Sequence, residues 1–313
     1  MENYYDKIED YYSTHEKQET ADNFGLTLET LNRYLRTVRQ RNEAKNDPDM
    51  IIDFPKILIV DIETSPIKAF TWGLWKQNIQ PRQIIQDWFM IGWAAKWLFE
   101  DEVHSGYVTP KEAKEGIDKS IQKELWHLLD KADMVIAHNA KKFDVPRIDT
   151  RLFLNGHNPP SPYQVIDTLY YYRKQFAISS NKLDYINQIM LIPGKVETGG
   201  FQLWVDCLDG KQEALDKMEE YNINDVKILE ENYLRVRPWI KNHPNVAVYM
   251  NNGVATCSVC GGTKLKPATT DYGTPVNRYQ TYRCITCGAI AGRDRKSLLN
   301  VDDKKNMIRG IAR

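Results

Sequence analysis

The 313-residue chain is 42% hydrophobic and 27% charged, a globular composition that excludes a mostly disordered, collagen-like or coiled-coil protein. Its 42 basic and 42 acidic side chains cancel, so no global charge advertises a polyanion partner. The balance hides an asymmetry: residues 1–30 carry net −6, residues 31–45 net +4 and residues 263–313 net +7, around a mildly acidic middle.

No apolar run reaches the ~20 residues of a membrane span. The opening MENYYDKIED is acidic and polar, so no signal peptide is expected. Turn-rich residues at 46–49 (NDPD) and the His243-Pro244 pair divide the chain into blocks at about 1–47, 50–245 and 246–313.

The first block reads as short helices. Residues 16–24 (EKQETADNF) predict one, with Ala21 and Phe24 inward. Leu31, Leu35 and Val38 recur at helical spacing in a second over 28–41, with Thr27 as its N-cap. Gly25 sits between them, where a tight turn needs positive φ. The second helix bears Arg33, Arg36, Arg39 and Arg41 off its apolar face. The pair resembles a helix-turn-helix unit, in which the second helix enters the major groove of duplex DNA. A plain helical hairpin is the alternative.

In the middle block, Ile57-Leu58-Ile59-Val60 is a continuous apolar run, as in a strand buried on both faces. Further strands are expected over 69–75, 89–98 and 134–137. Helices are expected over 118–130, 144–156, 181–191 and 211–236. Strands first, then alternation, imply an α/β fold with a mixed sheet flanked by helices.

Three groups of residues in this block suggest chemistry. Asp61 and Glu63 end the first strand on one side of the chain, where two carboxylates repel unless a cation lies between them. Hard carboxylate oxygens suit Mg²⁺ or Mn²⁺. Next, the strand at 134–137 runs into His138-Asn139, a short loop and Asp144 at a helix start. Finally, Tyr221 and Asp225 lie four apart on one helical face. Each group alone also fits ordinary structure: two solvated acids, a helix cap, a chance pair.

In this order the three groups resemble the motifs of the DEDD superfamily of 3′–5′ exonucleases, with the ribonuclease H-like fold. Asp61 and Glu63 match its Asp-x-Glu. Asn139, Phe143 and Asp144 match its Asn-x-x-x-(Phe/Tyr)-Asp. Tyr221 and Asp225 match the tyrosine form of its third motif. Ile166-Asp167-Thr168-Leu169 also looks like this family, as in the proofreading domains of family B polymerases and stand-alone phage or bacterial relatives. With about 70 residues remaining, no polymerase is expected to follow.

The resemblance implies two Mg²⁺ or Mn²⁺ ions held by Asp61, Glu63, Asp144 and Asp225, with Tyr221 orienting the attacking water. It implies release of nucleoside monophosphates from a 3′ end, with DNA as the expected substrate and RNA left open. It also implies a cytoplasmic setting in a bacterial cell or phage-infected host. His138 is expected to pack rather than react, and Asp167 to hold structure through hydrogen bonds. Lys141 and Lys142 fit either phosphate contact or a solvated loop.

The last block carries Cys257-x-x-Cys260 and Cys284-x-x-Cys287, each followed by glycine. Four thiolates in paired knuckles match a tetrahedral structural Zn²⁺ and resemble a zinc ribbon, with a hairpin tip expected at 270–273. Arg278, Arg283, Arg293, Arg295 and Lys296 around it favour a nucleic-acid partner over a merely solvated tail. Cys207 stands alone as an apolar core residue. A structure-selective endonuclease, and a DNA-binding regulator with a non-catalytic core, are the rival functions. No protein partner is identified.

Overall fold

Aliphatic side chains without polar alternation start the sheet: Ile57, Leu58, Ile59 and Val60 are all buried at the head of β1 (Ile57–Thr64). The structure is a computed structural model that describes residues 4–28, 31, 32, 35, 54–192, 199–250 and 253–308. Helices α1 (Tyr4–Thr14) and α2 (Lys17–Asn23) precede β1. A short ribbon of β2 (Lys68–Ala69) and β3 (Ile84–Gln86) follows it. Then come β4 (Met90–Trp97), β5 (His104–Tyr107), α3 (Pro110–Glu115), α4 (Gln122–Asp130) and β6 (Met134–Ala137). After these run α5 (Asp144–Leu154), β7 (Gln164–Asp167), α6 (Thr168–Gln175), α7 (Leu183–Ile189), α8 (Gln202–Leu208) and α9 (Gln212–Val236).

The five-stranded sheet has the order β5-β4-β1-β6-β7. β1, β4 and β5 form an antiparallel meander, while β6 and β7 join β1 in parallel. Parallel steps need crossovers, and α4 and α5 supply them. Leu58, Trp93, Leu125, Ile148, Leu215 and Met218 share one buried cluster, which seats α4, α5 and α9 on the sheet. The fold is therefore the mixed α/β sheet with flanking helices that the sequence implied.

One expected strand is not there. Of the 69–75 segment only Ala69 joins a strand, β2, and beyond it Phe70, Trp72, Leu74 and Trp75 are 72%, 98%, 91% and 84% exposed. Their β propensity finds no core to cover it, so pattern alone misleads. The short elements α3, β5, β7, α6 and α8 carry no strong period and were not foreseen.

The described chain falls into two compact units, Lys56–Tyr233 and Met1–Pro55 with Leu234–Arg313. The sequence breaks at 50 and 245 lie outside these edges. Lys56 is already tied into the sheet unit, donating its N–H to Asp133 Oδ2 at 2.7 Å. At the other edge α9 runs on to Val236 with no breaker to mark the change.

In the second unit, Ile8, Ala21 and Leu31 are fully buried together. Gly25 has φ +62°, and Leu26 N–H closes the turn onto Ala21 O at 2.8 Å. Arg33, Arg36, Arg39 and Arg41, with Val38, lie outside the described residues. Toward the C-terminus, β8 (Leu265–Pro267) and β12 (Ile290–Arg293) flank β11 (Thr281–Cys284). β9 (Tyr272–Gly273) pairs with β10 (Arg278–Tyr279). The hairpin tip is therefore at 274–277, not at 270–273. Thr274 fixes it, accepting at Oγ1 from Asn277 N at 2.9 Å. A short helix, α10 (Val301–Asn306), follows. Among the described residues no helix is long and apolar enough to cross a membrane.

Candidate active site

The pairing of β1 shapes the site. Its antiparallel ladder with β4 runs to Thr64↔Met90, but its parallel ladder with β6 ends at Ile59↔Ile136. Past Ile59 one edge of β1 is open. Asp61 and Glu63, both half-buried, alternate with buried Ile62 along that stretch. Asp144, the first residue of α5, is 1% exposed. Its carboxylate accepts from the N–H of Ile62 and from its own N–H, a helix N-terminal arrangement that favours an anion. Asp225 and Tyr221 arrive from one face of α9.

Burial and neighbouring charge raise all four carboxylates. Burial first, then the charges of Asp144, Glu63 and Asp225, hold Asp61 well above the usual carboxylate range. Burial and Asp225 push Glu63 up to about 8. Burial raises Asp144 and Asp225 to about 7 each, with Asp167 and Asp184 as the nearby charges. Acids perturbed in this way are poised to exchange protons for a cation. Asp144 Oδ2 is buried with no hydrogen-bond partner, the kind of orphaned acceptor that a metal ion satisfies. The donor set, hard carboxylate oxygens, fits divalent cations. Among the described residues only the four cysteines bring ligand atoms all within 4.8 Å, so no three carboxylates converge that tightly.

Tyr221 hydrogen-bonds to Asp225, and burial plus that charge raise its phenol above the ordinary range. It stays a protonated donor. His138 is held at both nitrogens, Nδ1 with Thr168 Oγ1 at 2.9 Å and Nε2 with Asn181 O at 3.0 Å. Burial lowers its pKa, so it packs as a neutral ring. Asp167 caps α6 through Tyr170 N at 3.0 Å and also accepts from Asn139 N at 3.2 Å and Lys141 N at 3.1 Å. It thereby fixes the loop that leads into Asp144. Asn139 in that loop has φ +86°, a strained conformation of the kind that gathers at functional sites. Lys141 and Lys142 are exposed on the same loop, with Lys141 Nζ 5.5 Å from the Tyr170 ring.

Four supporting residues were missed in the sequence. Asn222 donates to Asp61 and accepts from Tyr107 Oη at 2.8 Å. Trp204 donates to Glu63. Gly92 stands across from Glu63 on β4, and the Tyr107 ring lies so close that a Cβ there would meet it at 2.2 Å. Asn222 was legible, because it precedes Asp225 by three on a helix and so shares its face. Nothing local in the sequence marks Tyr107 or Trp204.

A cavity of ≈ 540 Å³ opens beside Tyr221 and Asp225. Arg173, Lys182, Ser180, Asn181 and Asp184 line its polar wall.

In the other unit Cys257, Cys260, Cys284 and Cys287 are all buried. Cys257 Sγ is 3.8 Å from Cys287 Sγ, and Cys260 Sγ is 3.6 Å from Cys284 Sγ. Four sulfurs at ~2.3 Å from a tetrahedral ion stand about 3.8 Å apart, so the spacing suits zinc. Gly261 and Gly288 take φ +76° and +83° to complete the two knuckles. Val259 N and Gly262 N each point at a cysteine sulfur at 3.4 Å. Nearby, the exposed Arg283 bonds Gly288 O at 2.7 Å, and Arg293 lies over Tyr279 at 3.8 Å. Arg295 is exposed as well.

Comparison with known proteins adds three findings. No curated protein matches the chain. Among solved structures, the family B DNA polymerase of the hyperthermophilic archaeon Pyrobaculum calidifontis aligns at TM-score 0.42 and 13% identity, over 59% of this chain. The chain spans only 25% of that polymerase's length. The family model of the RNase_H superfamily matches residues 58–235, which include the sheet from the second residue of β1 onward and Asp61, Glu63, Asp144 and Asp225. The chain belongs to the RNase_H superfamily.

Proposed function

We propose that this protein is a metal-dependent 3′–5′ exonuclease that hydrolyses the phosphodiester bonds of DNA and releases nucleoside monophosphates. Superfamily membership supports a nuclease acting on nucleic acid. The observation that carries the finer reading is the set of four buried or half-buried carboxylates, all raised, with an orphaned oxygen on buried Asp144. Asp61, Glu63, Asp144 and Asp225 would hold two Mg²⁺ or Mn²⁺ ions. Such a pair supplies a hydroxide-like nucleophile at neutral pH and neutralises charge on the leaving oxygen.

This chain's own groups do the positioning. Asn222, braced by Tyr107, fixes the Asp61 carboxylate. Trp204 orients Glu63, and the Ile62 and Asp144 N–H groups hold Asp144. Tyr221 keeps its proton, now given to Asp225, and would turn it toward the attacking water once a cation takes up Asp225. The polar cavity next to Tyr221 and Asp225 gives a terminal nucleotide room to sit.

We propose further that the chain has three functional parts, at 1–47, 50–245 and 246–313. The first would grip duplex DNA as a helix-turn-helix-like unit through Arg33, Arg36 and Arg39. The last would be a zinc ribbon whose Arg283, Arg293 and Arg295 meet phosphates.

The test is incubation with Mg²⁺ or Mn²⁺ and 5′-labelled single-stranded DNA, with and without a blocked 3′ end. A ladder of shortening products is expected, abolished by the block and by Asp61→Ala/Glu63→Ala. Internal cuts that survive the block would replace this reading with the endonuclease. No cleavage of DNA or RNA would replace it with a binding protein.

A further inference from the structure

Between the catalytic strand and β4 the chain makes an excursion, residues 65–86, that contributes little to the core. Its shape is nonetheless built. Ser65 anchors its root, exchanging backbone N–H to Phe89 O at 2.9 Å and accepting Phe89 N at Oγ at 3.0 Å. β2 and β3 pair above the root, and Phe70 N bonds Gln83 O at 2.9 Å. Gln83 returns its amide to Phe70 O at 3.0 Å and its carbonyl to Gln80 N at 2.8 Å. At the tip Lys76 is held at φ +53°, and Gln77 bonds Trp75 O at 2.7 Å.

This ordered ribbon presents aromatic surface to water. Trp72 is 98% exposed and Trp75 84%, with Phe70 at 72%. Isolated exposed apolar residues are ordinary, but two indoles and a phenyl ring within six residues are not. At the excursion's far root Trp88 does have a cover, since Arg147 lies 4.4 Å over its ring. Trp72 and Trp75 have no such partner among the described residues.

Charge says what would cover them. Residues 65–86 hold Lys68, Lys76 and Arg82 and no acid at all, although the middle of the chain is mildly acidic. Exposed aromatic rings interleaved with cations and amides suit single-stranded nucleic acid, whose bases stack and whose phosphates need counter-charges. Trp72 lies only nine residues beyond Glu63, within about 30 Å of extended chain.

From this juxtaposition we infer that the 65–86 excursion is a stacking platform for a single strand of nucleic acid, on which Trp72 and Trp75 hold bases of the strand whose end is cut at Asp61 and Glu63. The inference rests on the nuclease reading for what happens to the strand, but the binding can be measured without cleavage.

The experiment uses the full chain carrying Asp61→Ala/Glu63→Ala and a 5′-fluorescein-labelled oligothymidylate, followed by anisotropy and by quenching of tryptophan emission. Trp72→Ala and Trp75→Ala are each expected to weaken binding about tenfold, the effect of one lost base–aromatic stack. Trp72→Phe should restore most of it, and Phe153→Ala, on an equally exposed ring of α5, should change nothing. Melting temperatures should stay level, because the indoles touch no core. Affinity and quenching unchanged in the Trp72→Ala/Trp75→Ala variant would overturn the platform. So would loss of concentration-dependent self-association in that variant with DNA affinity intact, which would give the patch to a second copy of the chain. Cleavage by the unsubstituted protein is scored separately. Tryptophan-dependent binding without cleavage would end the nuclease reading alone, and cleavage without tryptophan-dependent binding would end the platform alone.

Discussion

Tyr221 and Asp225 occupy successive turns of α9, and the carboxylate next to the phenol decides what the tyrosine can do. A phenol whose pKa is raised cannot serve as a base near neutral pH, so in the proposed reaction its part is to donate. Tyr221→Phe is expected to lower kcat about ten- to hundredfold, with no alkaline limb lost from the pH profile; steady-state rates between pH 6 and 10 check this. The acids themselves predict a stability effect. Glu63 is raised to about 8, and Asp144 and Asp225 to about 7, against ordinary values near 4 in the unfolded chain. Between roughly pH 4 and 8 the folded state therefore binds more protons than the unfolded state, and stability falls as pH rises through that window. Without added Mg²⁺ or Mn²⁺ the melting temperature should drop from pH 5 to pH 8.5. Adding either ion should restore it at the alkaline end, and Asp144→Asn should flatten the slope. The principal acids were readable because their motifs pair residue type with spacing. Asn222 was readable by helical geometry and overlooked. Tyr107 was not, because its place beside Asn222 depends on strand pairing across Gly92.

The elements that carry the site are tied by buried charge. Asp118, fully buried, accepts from Arg151 Nε at 2.6 Å and Nη2 at 2.8 Å, from Gln122 Nε2 at 2.8 Å and from Met90 N at 2.8 Å. One carboxylate thus joins α5, α4 and β4. Removing it leaves the Arg151 guanidinium uncompensated, which costs about 3–5 kcal/mol. Asp118→Ala should show that loss in urea unfolding, with m unchanged. Lys96 and Glu230 make a comparable buried pair between β4 and α9, and Glu230 also accepts Phe99 N at 2.8 Å. Long or wholly apolar elements were legible: β1 and β6 as continuous aliphatic runs, and α9 within a residue at its start. The aromatic run at 69–75 was not. Its pattern is that of a strand, and only the missing partner reveals that Trp72 faces water.

At the scale of the whole chain, the two compact units hold different residues: Lys56–Tyr233 bears every carboxylate of the candidate site, and the other bears all four paired cysteines. The thiols were legible because knuckle spacing is a local signal, whereas the unit edge inside α9 has no local signal at all. Small β-rich segments like 253–308 bury little apolar surface and depend on a staple. One equivalent of zinc per chain is expected by elemental analysis. Cys284→Ser should lower that content and expose the C-terminal segment to limited proteolysis, while 56–233 keeps its protease resistance.

The open edge of β1 has one further consequence. Because β6 leaves the ladder at Ile59, the Ile62 N–H has no strand to meet and gives its hydrogen to Asp144 instead. A single backbone amide in the centre of the sheet is therefore wired to the charge of the deepest acid in the site. Its proton resonance is a built-in indicator: it should shift as Asp144 loses its proton and shift again as a cation takes that proton's place, so occupancy can be followed by NMR with no substrate present.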